Sequence, residues 1–126
     1  MQVYLPLNTP ASYAETKTFA MGVAQVLERR HPELIVSEMT KAKRGGKVFI
    51  DWSQNDEHKT TVNVYSLRAR DQPTVSTPVT WDEVEAIAAS RDPDDLAFTS
   101  AEVLARVAEN GDPFAPVLSL EQELPG

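Results

Sequence analysis

Lys47-Val48-Phe49-Ile50-Asp51-Trp52-Ser53-Gln54-Asn55, continued by Thr60-Thr61-Val62-Asn63-Val64-Tyr65-Ser66-Leu67-Arg68-Ala69-Arg70, is the stretch on which the reading of the chain turns. Residues 47–52 and 60–66 are both rich in β-branched and aromatic side chains, and the polar Asn55-Asp56-Glu57-His58 lies between them. The pair therefore predicts an antiparallel hairpin. Alternation along the first run puts Val48, Ile50 and Trp52 on one face and Phe49, Asp51 and Ser53 on the other, so a carboxylate shares a face with a large aromatic ring. An ionised carboxylate on a half-buried strand is costly unless a positive group or several donors meet it. Two partners fit: a cation such as Lys59 or Arg68 across the hairpin, or a divalent metal ion. The pattern alone leaves both open.

At 126 residues the chain is expected to make one domain, large enough to bury roughly two thirds of its unfolded surface. The expected limits are residues 1–118, with 119–126 as a frayed acidic tail. The absence of cysteine removes disulfides and thiolate chemistry and fits a reducing compartment. No basic segment precedes an apolar run at the start, and no window has the length of a membrane span, so the expectation is a cytoplasmic protein without a membrane partner. The net charge of −7 speaks against nucleic acid only until its distribution is read. Residues 1–80 carry 10 Lys+Arg against 8 Asp+Glu, whereas residues 81–126 carry 2 against 11. Six bases (Arg29, Arg30, Lys41, Lys43, Arg44 and Lys47) stand against Glu33 and Glu38 just before the Asp51 strand. Such a segment suits a phosphate-bearing ligand, and equally suits a solvated charged loop.

Around that centre the remaining elements are read from local signals. Residues 2–7 alternate as a short first strand ended by Pro6 and Pro10. Ser12-x-x-Glu15 is a capping box that opens a helix with Phe19, Ala20, Val23, Ala24, Val26 and Leu27 at helical spacing, and Pro32 closes it. Residues 31–46 are a connection ending in the basic, glycine-containing Lys41-Ala42-Lys43-Arg44-Gly45-Gly46. Residues 72–79, with two prolines, read as extended and irregular. Thr80-Trp81-Asp82-Glu83 and Thr99-x-x-Glu102 are two more capping boxes, each followed by a helix, the second stopped by Asn110-Gly111. Residues 113–118 read as an extended apolar tail. His31 and His58 have no metal-ligand spacing and are read as surface residues. The order β-α-β-β-α-α implies an α+β domain, a small antiparallel-containing sheet with helices.

Residues 47–70, together with Val75-Ser76-Thr77-Pro78-Val79-Thr80-Trp81-Asp82-Glu83-Val84, closely resemble the polymerase domain of bacterial DNA ligase D, a member of the archaeo-eukaryotic primase superfamily that works in non-homologous end joining of DNA double-strand breaks. Gln2-Val3-Tyr4-Leu5-Pro6-Leu7 and the helix from Ser12 to Pro32 are similar to the same domain. The resemblance covers nearly the whole chain but only the C-terminal, RRM-like half of that domain. It implies two manganese or magnesium ions held by three carboxylates, an upstream Asp-x-Asp pair and a third that corresponds to Asp51, the catalytic and metal-binding residue here. It further implies that Gln54 and Arg68 meet the nucleotide, Arg68 at the triphosphate, and that Arg44 belongs to a mobile loop responding to template DNA. Arginine's planar fork of donors suits such phosphate contacts. With Arg44, the neighbouring Lys47 and Arg70 are the expected DNA-binding residues.

The upstream pair is not in this sequence. Asp92-Pro93-Asp94 matches it only in spelling, since Pro93 excludes a regular central strand and the segment suits a turn. Two functions follow as expectations. One is the C-terminal part of a bacterial, nucleoid-associated nucleotidyltransferase whose partners are DNA ends, nucleoside triphosphates and either the missing N-terminal half or a second copy. The other is a non-catalytic module that binds nucleic acid or nucleotide.

Overall fold

The computed structural model describes residues 1–125, which form two compact units. One comprises residues 9–61 and the chain from 121 onward; the other comprises residues 1–8 and 62–120.

The first unit is built on helix α1 (Tyr13–Arg30). Its N-terminus carries the expected capping box: the Ser12 hydroxyl accepts from the Glu15 amide at 3.3 Å, and the Glu15 carboxylate accepts from the Ser12 amide at 2.7 Å. Hydrogen bonds to its carboxylate, first from the Ser12 hydroxyl at 2.7 Å and then from the Ser12 amide, hold the Glu15 carboxyl below its usual range. Arg29 and Arg30 complement the dipole at the other end, and Pro32 prevents continuation. Ala24 is fully buried where α1 packs on strand β1 (Ile35–Val36) and on a 3₁₀ turn at Trp52–Gln54.

Here the structure departs from the expected hairpin. Strand β2 (Val48–Phe49) pairs in parallel with β1, with Ile35 opposite Val48 and Val36 opposite Phe49. The partner lies in the segment read as a connection. The β-branched pair Ile35-Val36 buries Val36 to 3% exposure, and a 3₁₀ turn at Lys41–Lys43 plus Gly46 at φ +70° bring the chain back. Beyond Phe49 the run stops being a strand because the Trp52 indole donates to the Ser37 carbonyl at 2.9 Å and draws the backbone into the 52–54 turn. The Thr9 hydroxyl donates to the Gln122 carbonyl at 2.7 Å in the same unit.

In the second unit the antiparallel pair is β3 (Leu67–Arg68) with β4 (Thr74–Val75), in register Leu67 to Val75 and Arg68 to Thr74. The segment expected to be irregular thus supplies a short strand. Pro73 stands just before it, where no ladder donor is required, and Val75 donates to Phe98 at 2.8 Å. Tyr65, at φ +64°, turns the chain out of the extended path, so residues 60–66 form no continuous strand.

Helices α2 (Trp81–Ser90) and α3 (Ser100–Asn110) begin at the expected capping boxes, Thr80 with Glu83 and Thr99 with Glu102. Between them Asp92 accepts from the Asp94 amide at 3.0 Å and opens a 3₁₀ turn at Pro93–Leu96, a turn as the sequence suggests and not a metal pair. One helical turn, α4 (Pro116–Ser119), replaces part of the expected extended tail. Residues 2–7 lie in no strand; Pro6 removes a ladder donor and Asn8 turns at φ +49°. They are held by Tyr4 edge-on to Phe114 and by Asn8, which donates to Val117 and Leu120.

The α+β class with a small antiparallel-containing sheet holds. The core is thin: among the described residues, the large or branched side chains that are buried are Val36, Val75 and Val103, whereas Leu104 and Leu118 are 73% and 81% exposed. Among the described residues no helix is long and apolar enough to cross a membrane.

Candidate active site

Asp51 stands at the end of β2, where the chain passes from the parallel pair into the 52–54 turn. Its side chain is exposed, not half-buried as strand alternation required, so no direct ion pair is needed to offset desolvation. One carboxylate oxygen, Oδ1, accepts from the Ser53 hydroxyl at 2.6 Å. The Lys59 ammonium in turn donates to Ser53 Oγ at 2.8 Å. Lys59, one of the two cations expected to pair with Asp51, therefore acts through an intervening hydroxyl. Ser53 is 4% exposed and is the buried polar side chain of the described residues. Sequence alternation puts it on the Asp51 face and carries no signal of a role. The bonding pattern of a hydroxyl assigns its proton: the ammonium has only donors, so Ser53 must accept from Lys59 and donate to Asp51.

Gln54 follows in the same turn. Its amide nitrogen donates to the Thr60 carbonyl at 2.8 Å and to the Thr61 hydroxyl at 3.0 Å, closing the 51–61 loop on itself. The Lys17 ammonium, from α1, pins the middle of that loop by pairing with Asp56 at 2.6 Å, and this bond holds the Asp56 carboxyl below its usual range. His31 and His58 are both exposed, as read from sequence.

The basic segment is ordered by contacts of its own. The Arg44 guanidinium lies 3.9 Å from the centre of the Phe49 ring and donates to the Met39 carbonyl. Its Nε is buried without a hydrogen-bond partner, a costly state for a charged donor. Phe49 beneath Arg44 has no local sequence signal beyond a separation of five residues across a glycine turn, which permits such a stack. Lys47 donates to the Pro32 carbonyl at 2.6 Å. Lys43 pairs with Glu38, which lowers the titration of that carboxyl and raises that of the lysine.

Arg68 and Arg70 belong to the other unit, on β3 and in the turn after it, and both are exposed. What anchors the entry to β3 is Tyr65: its backbone donates to Ser76 at 2.7 Å and its hydroxyl donates to Asp112. Burial, the Asp112 hydrogen bond and the Asp112 charge push the phenol up to about 12. A pocket of about 330 Å³ is lined in part by Tyr65, Arg106 and Glu83, the last two paired at 2.6 Å. These groups satisfy one another and serve packing.

Among the described residues no three His, Cys, Asp or Glu side chains are grouped to hold a metal. Asp51 can serve as one ligand of a metal whose other ligands lie elsewhere. Its chemistry fits that limited part: an exposed, anionic oxygen donor of the kind hard divalent cations take.

A model of the LigD primase-polymerase domain matches residues 1–114. Over 117 residues the chain is 46% identical to the multifunctional non-homologous end joining protein LigD of Mycolicibacterium smegmatis, covering 93% of this chain and 15% of that protein. Over 115 residues it is 34% identical to the bifunctional non-homologous end joining protein LigD of Bacillus subtilis, covering 90% of this chain and 18% of that protein. Among solved structures, the polymerase domain from Mycobacterium tuberculosis Ligase D in complex with DNA matches with a TM-score of 0.80 at 43% identity, over 93% of this chain and 39% of that one. The chain spans under a fifth of the length of these curated relatives and about two fifths of the solved domain. An identity well above the twilight range, a fold shared over nearly every residue and a family match from residue 1 to 114 lead to one assignment: the chain belongs to the LigD primase-polymerase family.

Proposed function

We propose that this chain is the C-terminal part of a DNA ligase D-type polymerase domain, acting in end joining of bacterial DNA double-strand breaks. The observation that carries the reading is Asp51, a solvent-facing carboxylate held through one oxygen at a strand end, in a chain of this family. Asp51 would contribute one carboxylate to a manganese or magnesium centre whose remaining ligands come from outside these residues. A divalent ion so held neutralises phosphate charge and aligns oxygens during phosphoryl transfer.

The residues of this chain have separate parts. Arg68 presents an exposed guanidinium to the triphosphate of the incoming nucleotide, and Gln54, in the same turn as Asp51, lies close to the nucleotide. Arg44 leaves Phe49 to meet a DNA phosphate, which would satisfy its buried Nε. Lys47 and Arg70 add charge along the DNA. The exposed Val48, Leu67 and Leu104 suit a complementary segment of the same fold, or a second copy, more than permanent contact with water. The exposed aspartate and the DNA-bound relative favour this reading over a purely binding module. With a single carboxylate the chain alone is expected to bind and not to catalyse. Its place of action would be the bacterial nucleoid.

The test is a chimera in which residues 1–114 replace the matching part of the Mycobacterium tuberculosis Ligase D polymerase domain. The expected result is primer extension that Asp51→Ala reduces to background. A folded chimera that extends equally well with Asp51→Ala would refute the role of this carboxylate.

A further inference from the structure

We propose that Ser53 and Lys59 are positioning residues that aim the Asp51 carboxylate at its cation. The inference rests on the reading of Asp51 as a metal ligand and adds the groups that orient it. Ser53 is 4% exposed, and a buried hydroxyl must satisfy its polar atoms. Lys59 Nζ, at 2.8 Å, takes one lone pair of Ser53 Oγ, which commits the hydroxyl proton to Asp51 Oδ1 at 2.6 Å. With Oδ1 so engaged, the carboxylate is fixed in rotation and presents Oδ2 outward as a single oxygen donor. Groups hydrogen-bonded to metal ligands typically matter about 10- to 100-fold in affinity. Lys59 is itself held by the loop, since its amide donates to the Asp56 carbonyl at 3.1 Å and Asp56 is tied to Lys17.

The arrangement makes a prediction that simple electrostatics reverses. Lys59 carries a positive charge close to the cation site, so its removal should tighten cation binding if charge alone matters. If Lys59 works by fixing the Ser53 hydroxyl, its removal should weaken binding.

The probe is manganese(II), titrated into the ¹⁵N-labelled chimera in which residues 1–114 replace the matching part of the Mycobacterium tuberculosis Ligase D polymerase domain, while paramagnetic broadening of the amides of residues 51–53 is followed, with Asp82 and Asp94 as exposed reference carboxylates. In the wild type, residues 51–53 should broaden at lower manganese than the references, and Asp51→Asn should abolish that preference. Ser53→Ala should move the midpoint about 10-fold higher, Ser53→Thr should restore it, and Lys59→Met should raise it. If Asp51→Asn abolishes the preference while Ser53→Ala matches wild type, the positioning role is overturned and the metal reading of Asp51 stands. If Asp51→Asn changes nothing, the metal reading falls and the positioning role with it. Should Ser53→Ala lose its dispersed spectrum, Lys59→Met decides: a higher midpoint supports the relay, and an equal or lower one overturns it.

Discussion

Replacing Arg106 by Met removes a side chain that ties three parts of the second unit together. Its guanidinium pairs with Glu83 of α2 at 2.6 Å and lies 4.4 Å from the centre of the Phe98 ring, the residue whose carbonyl accepts from β4. The paired side chains are 29% and 30% exposed, which places the bridge above the near-zero value of fully solvated pairs but still within reach of solvent screening. About 0.5–1 kcal/mol for the pair and a similar amount for the cation–π contact give a loss of roughly 1.5 kcal/mol. For a unit of this size that corresponds to a fall of about 8 °C in Tm.

The pH dependence follows from Glu83, whose carboxyl is held below its usual range, first by the hydrogen bond from Arg106. A depressed folded value means that the contribution is complete above the unfolded value of about 4.3 and disappears as pH falls through the folded one. The gap between wild type and Arg106→Met should be flat from pH 6 to 8 and narrow in acid as pH falls through the lowered folded value of Glu83, leaving the ring contact once that carboxyl is protonated. Thermal melts by circular dichroism, with amide exchange of α2 and α3 to localise the loss, measure both. Equal stability at pH 7, or a gap that never narrows as acid protonates Glu83, would refute the reasoning.

Other expectations are as direct. Asp112→Asn should bring the Tyr65 titration down from about 12 in a spectrophotometric titration. Because a raised folded value stabilises below the unfolded one of about 10, stability contributed by this phenol should be lost as pH rises through about 12. Thr99→Ala removes the α3 cap and should cost about 1 kcal/mol in urea melts. Asp56→Asn should loosen the 51–61 loop, seen as faster amide exchange there at pH 7, with the difference from wild type vanishing once acid protonates Asp56. If Arg44, Lys47, Arg68 and Arg70 meet phosphates, anisotropy with a 5′-phosphorylated overhang duplex should give a log–log salt slope of about −3, and Arg44→Ala or Arg68→Ala should each remove about one unit. Identical slopes for all three proteins would leave these bases as solvated charge.

The helices were legible because their signals are local. Ser12, Thr80 and Thr99 each stand three residues before a glutamate, and in each case both reciprocal bonds form. The strands were not, because two-residue strands are too short to carry a period and their partners are set by distant contacts. Ile35-Val36 found Val48-Phe49 across a glycine-containing connection, and Arg68 found Thr74 across the next turn. Asp51 could be singled out by its place among apolar neighbours and by family resemblance. The Ser53 and Lys59 relay could not, since it depends on the Trp52 indole bending the backbone into a turn that alternation does not foresee. Arg44 over Phe49 is hidden for a similar reason, being made by the turn at Gly46.

The central claim is that Asp51 is a ligand of the catalytic metal, and anomalous diffraction tests it most directly. Crystals of the chimera carrying residues 1–114, soaked in manganese with a nucleoside triphosphate, should show an anomalous peak at bonding distance from Asp51 Oδ2, with Oδ1 still on Ser53. A manganese peak held by other ligands with the Asp51 carboxylate turned away from it would contradict the account.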